Sequence, residues 1–338
     1  MKKFIALVII ITMALVSGCS AKDNPKALTK EIYGLDTIIE LTVYNCDQET
    51  LSLCGGEIHW LEGIFSKTIE GSDISRINEN SGDWVEIEDS AYEVLKTAYE
   101  VSENTKGAFD ITISPAVSIW GFDSNKYTIP EEHDIASALE YIDYKTLEFD
   151  DSTESVRIGE SFSIDLGGIA KGYVADYVAD FLREEGVSSA MLNFGGNICL
   201  IGSKPDKSLW NIGIKAPFAD GYFATVSVAD KTISTAGGYE RYFEENGEIY
   251  HHIMDPHTAS PAKTDVLSST VIGENGTVCD ALSTAVFVKG SSSVKEIAGL
   301  YPELDFVVLT EDSVFVTENI SKNFALSEGY EDIKIINI

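Results

Sequence analysis

Basic residues are scarce in this chain. Its 338 residues include 24 lysines and arginines against 55 aspartates and glutamates, a formal charge of −31. Removing residues 1–18, which hold Lys2 and Lys3 and no acids, leaves 22 against 55, or −33. Phosphate backbones are held by basic surface, so nucleic acid is excluded as a partner. An acidic protein that takes a phosphorylated ligand needs local neutralisation, most simply a divalent cation and a few lysines. Cysteine is sparse as well. There are five, none in a C-x-x-C pair, which removes the zinc ribbon and the thioredoxin-like redox site. H-E-x-x-H, G-x-G-x-x-G and the P-loop pattern are absent, so zincin, dinucleotide-fold and P-loop readings lose their main support.

One apolar run is present, and it is terminal. Lys2 and Lys3 precede the stretch Phe4 to Val16, followed by Ser17-Gly18-Cys19. About thirteen residues is short of the roughly 20 that a spanning helix needs, so the pattern reads as a signal peptide. "VSGC" resembles a lipobox, which predicts cleavage before Cys19 and lipidation of that cysteine. Residues 1–18 are then a lipoprotein signal peptide and 19–30 a polar membrane-proximal tether, which places residues 31–338 on the outer side of a cell membrane. Of the remaining thiols, Cys199 and Cys279 sit in apolar runs and read as buried. Export permits a Cys46–Cys54 disulfide without demanding one.

About 320 residues suffice for one large domain or two smaller ones. Strands are predicted at 37–44, 161–166, 190–194, 210–216, 224–228, 266–272, 305–309 and 313–317. Helices are predicted at 51–66, 90–106, 131–141, 169–185, 279–289 and 291–300, with a capping box at Ser90-Ala91-Tyr92-Glu93. Strands cluster in the second half without βα alternation. The fold class is therefore α+β, with mixed, largely antiparallel sheets and packed helices.

"SFSIDLGGIAKGYVAD" (161–176) is an unusual helix start. Lys171 places a cation in the first turn, where the macrodipole disfavours it by roughly 0.3–1 kcal/mol. Either the ammonium swings into water, or an anion is shared by the helix N-terminus, glycine-bared N–H groups and the lysine. "KGAFDITISP" (106–115) sets Asp110 among glycine and aromatic neighbours. "NFGGNI" (193–198) breaks a strand and reads best as a turn. "YHHIMDPHTASPA" (250–262) holds three of the five histidines, and Asp255-Pro256 favours a turn that leaves His252 at a strand end. With an unperturbed pKa near 6.5, His252 is a plausible general base. In "VCDALSTAVFVKG" (278–290), Asp280 and Thr284 are four apart, so both oxygens project from one helix face. One carboxylate and one hydroxyl suit Mg²⁺, which shares its oxygen ligands with substrate phosphates. The alternative is an Asp that satisfies the dipole and a Thr that bonds its own helix.

These stretches, with "GLDT" (34–37), "FSKTIEGSDISRIN" (65–78) and "ISTAGGYERYF" (233–243), occur in an order that resembles the ApbE family of FAD:protein FMN transferases over roughly 31–325. The resemblance implies an ApbE or T-fold-like architecture and Mg²⁺-dependent transfer of FMN from FAD to a Ser or Thr hydroxyl, with AMP released. It implies FAD contacts at Leu35, Thr68, Ala108, Phe109, Asp110, Asp165, Lys171 and Ile253. It also implies metal ligation by the Gly168 carbonyl, Asp280 and Thr284, and His252 as the group that activates the acceptor hydroxyl. The implied partners are membrane-associated electron-transfer subunits that carry the flavinylated residue. Ala236, Gly238 and Ala259 depart from the family pattern, the last at a usual glycine. A hydrolase splitting FAD to FMN and AMP and a non-catalytic flavin-binding lipoprotein are the competing readings.

Overall fold

The computed structural model describes residues 26–338; the signal segment 1–18, the lipidation site Cys19 and most of the tether lie outside them. Nine strands form one sheet whose spatial order follows the chain: β1 (Ala27–Gly34), β2 (Thr37–Tyr44), β3 (Ala190–Phe194), β4 (Asn197–Ile201), β5 (Thr232–Ala236), β6 (Val266–Gly273), β7 (Asp305–Thr310), β8 (Ser313–Val316) and β9 (Lys334–Asn337). Every neighbouring pair is antiparallel except β8 and β9. The α+β reading therefore holds. β1 starts at Ala27, inside the segment read as tether.

Both faces of the sheet are covered, which explains strands that are apolar at successive positions. In β7, Phe306 and Val308 join the core under the helices, while Val307 and Leu309 join a second core on the other side. That second core lies beneath a three-stranded sheet of residues 210–215, 222–228 and 324–326. The helical face carries α1 (Gln48–Phe65), α2 (Asp89–Thr105), α3 (Ala170–Glu184) and α4 (Gly276–Lys289). α4 packs on α2, α3, β5 and β6. It is apolar around most of its circumference, as a central helix must be, so a polar residue on it is buried by default.

Two local expectations fail. Residues 162–166 form no strand, and Ser161 before them has φ 70°. The Asn78 side chain takes the partner's place: its amide donates to the Ile164 carbonyl at 3.0 Å and its carbonyl accepts the Ile164 N–H at 2.7 Å. The capping box at Ser90 does not form. α2 begins one residue earlier, after Glu88, and the buried Ser90 hydroxyl has no partner. Other local readings hold. Gly195 and Gly196 make the β3–β4 turn with φ of 62° and 104°, and Asn193 accepts the Gly196 N–H. Gly186 and Gly290 follow α3 and α4 with positive φ. Cys54, Cys199 and Cys279 are buried free thiols, and Cys46 is free and partly buried.

Candidate active site

The catalytic candidates arrive on connections between strands. Three of them, Lys171 on α3 and Asp280 and Thr284 on α4, lie on helices that cross at a point where neither helix has a side chain. A Cβ on Gly172 of α3 would stand 2.2 Å from the carbonyl oxygen of Gly276 on α4, closer than atoms can approach. Glycine there brings the helix backbones into contact. The Gly172 N–H donates to Asp280 Oδ2 at 3.0 Å, a bond across 108 residues. Lys171 Nζ lies 3.9 Å from the same oxygen and donates to the Gly167 carbonyl at 3.3 Å. Asp280 is only 4% exposed, so the cation and the backbone N–H offset a desolvation that would otherwise be costly.

Thr284 stands one turn further along α4. A Cβ on Gly168 would be 3.5 Å from its Oγ1 and 3.1 Å from the Phe109 ring. The helix carbonyl that Thr284 could have used, that of Asp280, accepts instead from Ser283 Oγ at 2.8 Å. Gly168, Lys171, Asp280, Thr284 and Phe109 thus meet at one place. Among the described residues no three His, Cys, Asp or Glu side chains gather as a metal centre. A cation here would rely on one carboxylate, one hydroxyl and a carbonyl. That donor set leaves room for water and phosphate oxygens, as Mg²⁺ prefers.

The α3 N-terminus offers fewer donors than its sequence promised. Ala170 N–H goes to the Leu166 carbonyl, Tyr173 N–H to Ile169, and Gly172 N–H to Asp280. The Lys171 ammonium is therefore the principal positive group there. Asp165 is held on both oxygens: Oδ1 accepts the Gly167 N–H at 2.8 Å, and Oδ2 pairs with Lys67 Nζ at 2.8 Å. Lys67 also reaches Ser114 Oγ at 3.3 Å and Asp123 at 3.9 Å. It lies beside Thr68 in "FSKT" and was not singled out in the sequence. A lone cation in an acid-rich chain was the available signal.

The remaining expected residues are more dispersed. Thr68 is exposed, with its hydroxyl on Ser66. Leu35 occupies the β1–β2 turn at φ 52°, its N–H on Glu62 Oε1 of α1. Ala108, Phe109, Asp110 and Ile253 are buried. The Asp110 carboxylate accepts from Thr112 N, Thr112 Oγ1 and Tyr144 N, and burial raises its pKa. It is satisfied by its own chain.

His252 follows a hairpin of residues 242–251. Both its N–H and its Nδ1 face the Arg241 carbonyl, at 3.0 and 3.1 Å. A carbonyl only accepts, so Nδ1 carries the proton and Nε2 remains an acceptor. Burial lowers the pKa to about 4, with the charges of Lys171 and Arg241 adding to the depression. The Phe122 ring packs beside it at 6.5 Å. At neutral pH this is an uncharged imidazole with a free basic nitrogen.

The ApbE family profile matches residues 35–308. The chain belongs to the ApbE family. It is similar to the FAD:protein FMN transferase of Klebsiella pneumoniae, 31% identical over 285 residues covering 83% of this chain and 86% of that one. The Treponema pallidum enzyme of the same description is 31% identical over 74% of each chain. Among solved structures, the ApbE protein of Thermotoga maritima superposes with a TM-score of 0.79 at 30% identity, covering 91% of this chain and 99% of the other. The flavinyl transferase ApbE of Pseudomonas stutzeri in its apo form gives 0.78 at 25% identity, covering 90% and 98%.

Two of the three departures from the family pattern have physical accounts. Ala259 takes φ 50° in the turn after Asp255-Pro256, the conformation that explains a usual glycine. Gly238 lies against His251, whose Cδ2 would be 2.7 Å from an added Cβ. Nothing in the structure explains Ala236.

Proposed function

We propose that this chain transfers the FMN half of FAD to a Ser or Thr hydroxyl of an acceptor protein, forming a phosphoester and releasing AMP. The observation that carries the reading is the convergence of Lys171, buried Asp280, Thr284 and Gly168 at one helix crossing. His252 supplies a neutral imidazole, its pKa lowered by burial and, to a smaller extent, by neighbouring charges that include Lys171. Lys171 binds a diphosphate oxygen. Asp280, Thr284 and the Gly168 carbonyl would hold Mg²⁺, which supplies charge neutralisation at the diphosphate when bound. His252 Nε2 takes the proton of the incoming hydroxyl, whose oxygen bonds to the FMN phosphorus as the bond to the AMP phosphate breaks. The resemblance to relatives described as FAD:protein FMN transferases supports this assignment.

The anchor belongs to the same reading. A diacylated Cys19 would hold the enzyme at the membrane face where its acceptors reside, raising their effective concentration. The deciding experiment incubates protein, FAD and Mg²⁺ with and without membrane proteins of the same cell. Expected are slow FAD cleavage alone, faster AMP release with acceptor, and in-gel flavin fluorescence that survives denaturation. Rapid cleavage to free FMN, with no covalent flavin on any acceptor, would establish the hydrolase instead.

A further inference from the structure

The helix crossing contains a second carboxylate that the reaction does not use. α3 carries Gly172-Tyr173-Val174-Ala175-Asp176, and α4 carries Gly276-Thr277-Val278-Cys279-Asp280. The two pentapeptides share their Gly and Asp positions, and each aspartate reaches the other helix. Asp280 accepts the Gly172 N–H at 3.0 Å. Asp176 accepts the Gly276 N–H at 3.0 Å, the Thr277 N–H at 2.9 Å and Thr277 Oγ1 at 3.1 Å. Both glycines are required, since a Cβ on Gly276 would stand 2.6 Å from Asp176 Oδ1.

The two carboxylates differ in what remains free. Asp176 takes three donors on its two oxygens. Asp280 takes one N–H and a distant ammonium, both on Oδ2, and among the described residues nothing is bonded to its Oδ1. Asn275 completes the cap by accepting the Val278 N–H with its side chain and the Cys279 N–H with its carbonyl. The first four N–H groups of α4 are thus all satisfied, two of them by Asp176. That end of the helix has no donor left for an anion. Asp176 thereby ties the first turn of α4, one turn before Asp280, to α3.

We propose that Asp176 is a positioning residue, which locks α4 against α3 so that Asp280 and Thr284 face Gly168 and Lys171 in cation-binding geometry. This rests on the metal reading given above. Asp176 touches neither substrate nor metal. It acts through the backbone of Gly276 and Thr277.

The test uses the full chain with saturating FAD and no acceptor, and reads Mn²⁺ affinity by electron paramagnetic resonance. Loss of a group that orients a metal ligand typically weakens metal affinity about 10–100-fold. Asp176→Ala should therefore raise the Mn²⁺ Kd at least about tenfold. FAD binding without metal should stay near wild type, and excess metal should restore most of kcat. Asp176→Asn keeps one acceptor oxygen and should recover part of the affinity. Thr277→Val, which removes only the hydroxyl donor, should shift Kd by a smaller factor in the same direction. If Asp176→Ala does not fold, Asp176→Asn and Thr277→Val decide, and an unchanged Kd in both overturns the proposal. A folded Asp176→Ala with a lower Tm and wild-type Mn²⁺ affinity also overturns it, provided Asp280→Asn has lost the metal. Equal Mn²⁺ binding by wild type and Asp280→Asn overturns the metal reading itself and the proposal with it.

Discussion

The depressed pKa of His252 makes the stability of the enzyme depend on acidity in a way that one substitution can isolate. In the unfolded chain the imidazole titrates near 6.5, and in the folded protein near 4, because burial and the charges of Lys171 and Arg241 oppose protonation. Between these values the unfolded state binds the extra proton, so stability is full above about 6.5 and is lost as pH falls toward 4. At about 1.4 kcal/mol per unit, the window is worth about 3 kcal/mol, of which about 2 is lost by pH 5. Replacing His252 with Gln removes this titration. Other groups contribute pH dependence of their own, including Asp176, which burial raises to about 6 and which acts in the opposite sense. They are common to both proteins and cancel in the difference. Urea unfolding followed by tryptophan fluorescence at pH 7.5 and pH 5 should show the variant gaining about 2 kcal/mol on wild type across that interval. A difference that stays constant with pH would refute the partly buried, neutral histidine, and with it the assignment of Nε2 as a free base.

Three further outcomes follow from packing and charge. Gly172→Ala places a methyl 2.2 Å from the Gly276 carbonyl, so it should destabilise by at least the roughly 1–3 kcal/mol typical of overpacking and raise the metal concentration needed for turnover; a wild-type Tm would show that the helices are not in backbone contact. Lys67→Met strands Asp165, and a double-mutant cycle with Asp165→Asn in urea denaturation should give a coupling of about 1–2 kcal/mol. Ala259→Gly trades relief of a left-handed residue against loss of a buried methyl, so its unfolding free energy should stay within about 1 kcal/mol of wild type, whereas Ala259→Val should lose several times that.

The apolar alternation of β2 and β3, the continuous apolar run of β7, the Gly195-Gly196 turn and the four-residue spacing of Asp280 and Thr284 were all readable locally. Backbone periodicity and glycine's access to positive φ depend on near neighbours alone. Ala259, at a position where the family usually has glycine, adopts φ 50°. Residues 161–166 show where local pattern stops being sufficient. The alternation is that of a strand, but whether a strand forms depends on a partner, and here the partner is the amide of Asn78. The site followed the same division. Lys171, Asp280 and Thr284 stood out by residue type and spacing, and the fold brings them together. The protonation state of His252, the pairing of Lys67 with Asp165, and the contact of Gly172 with Asp280 across 108 residues were not. Burial and long-range approach set those, and both exist only once α3 and α4 have packed on the sheet.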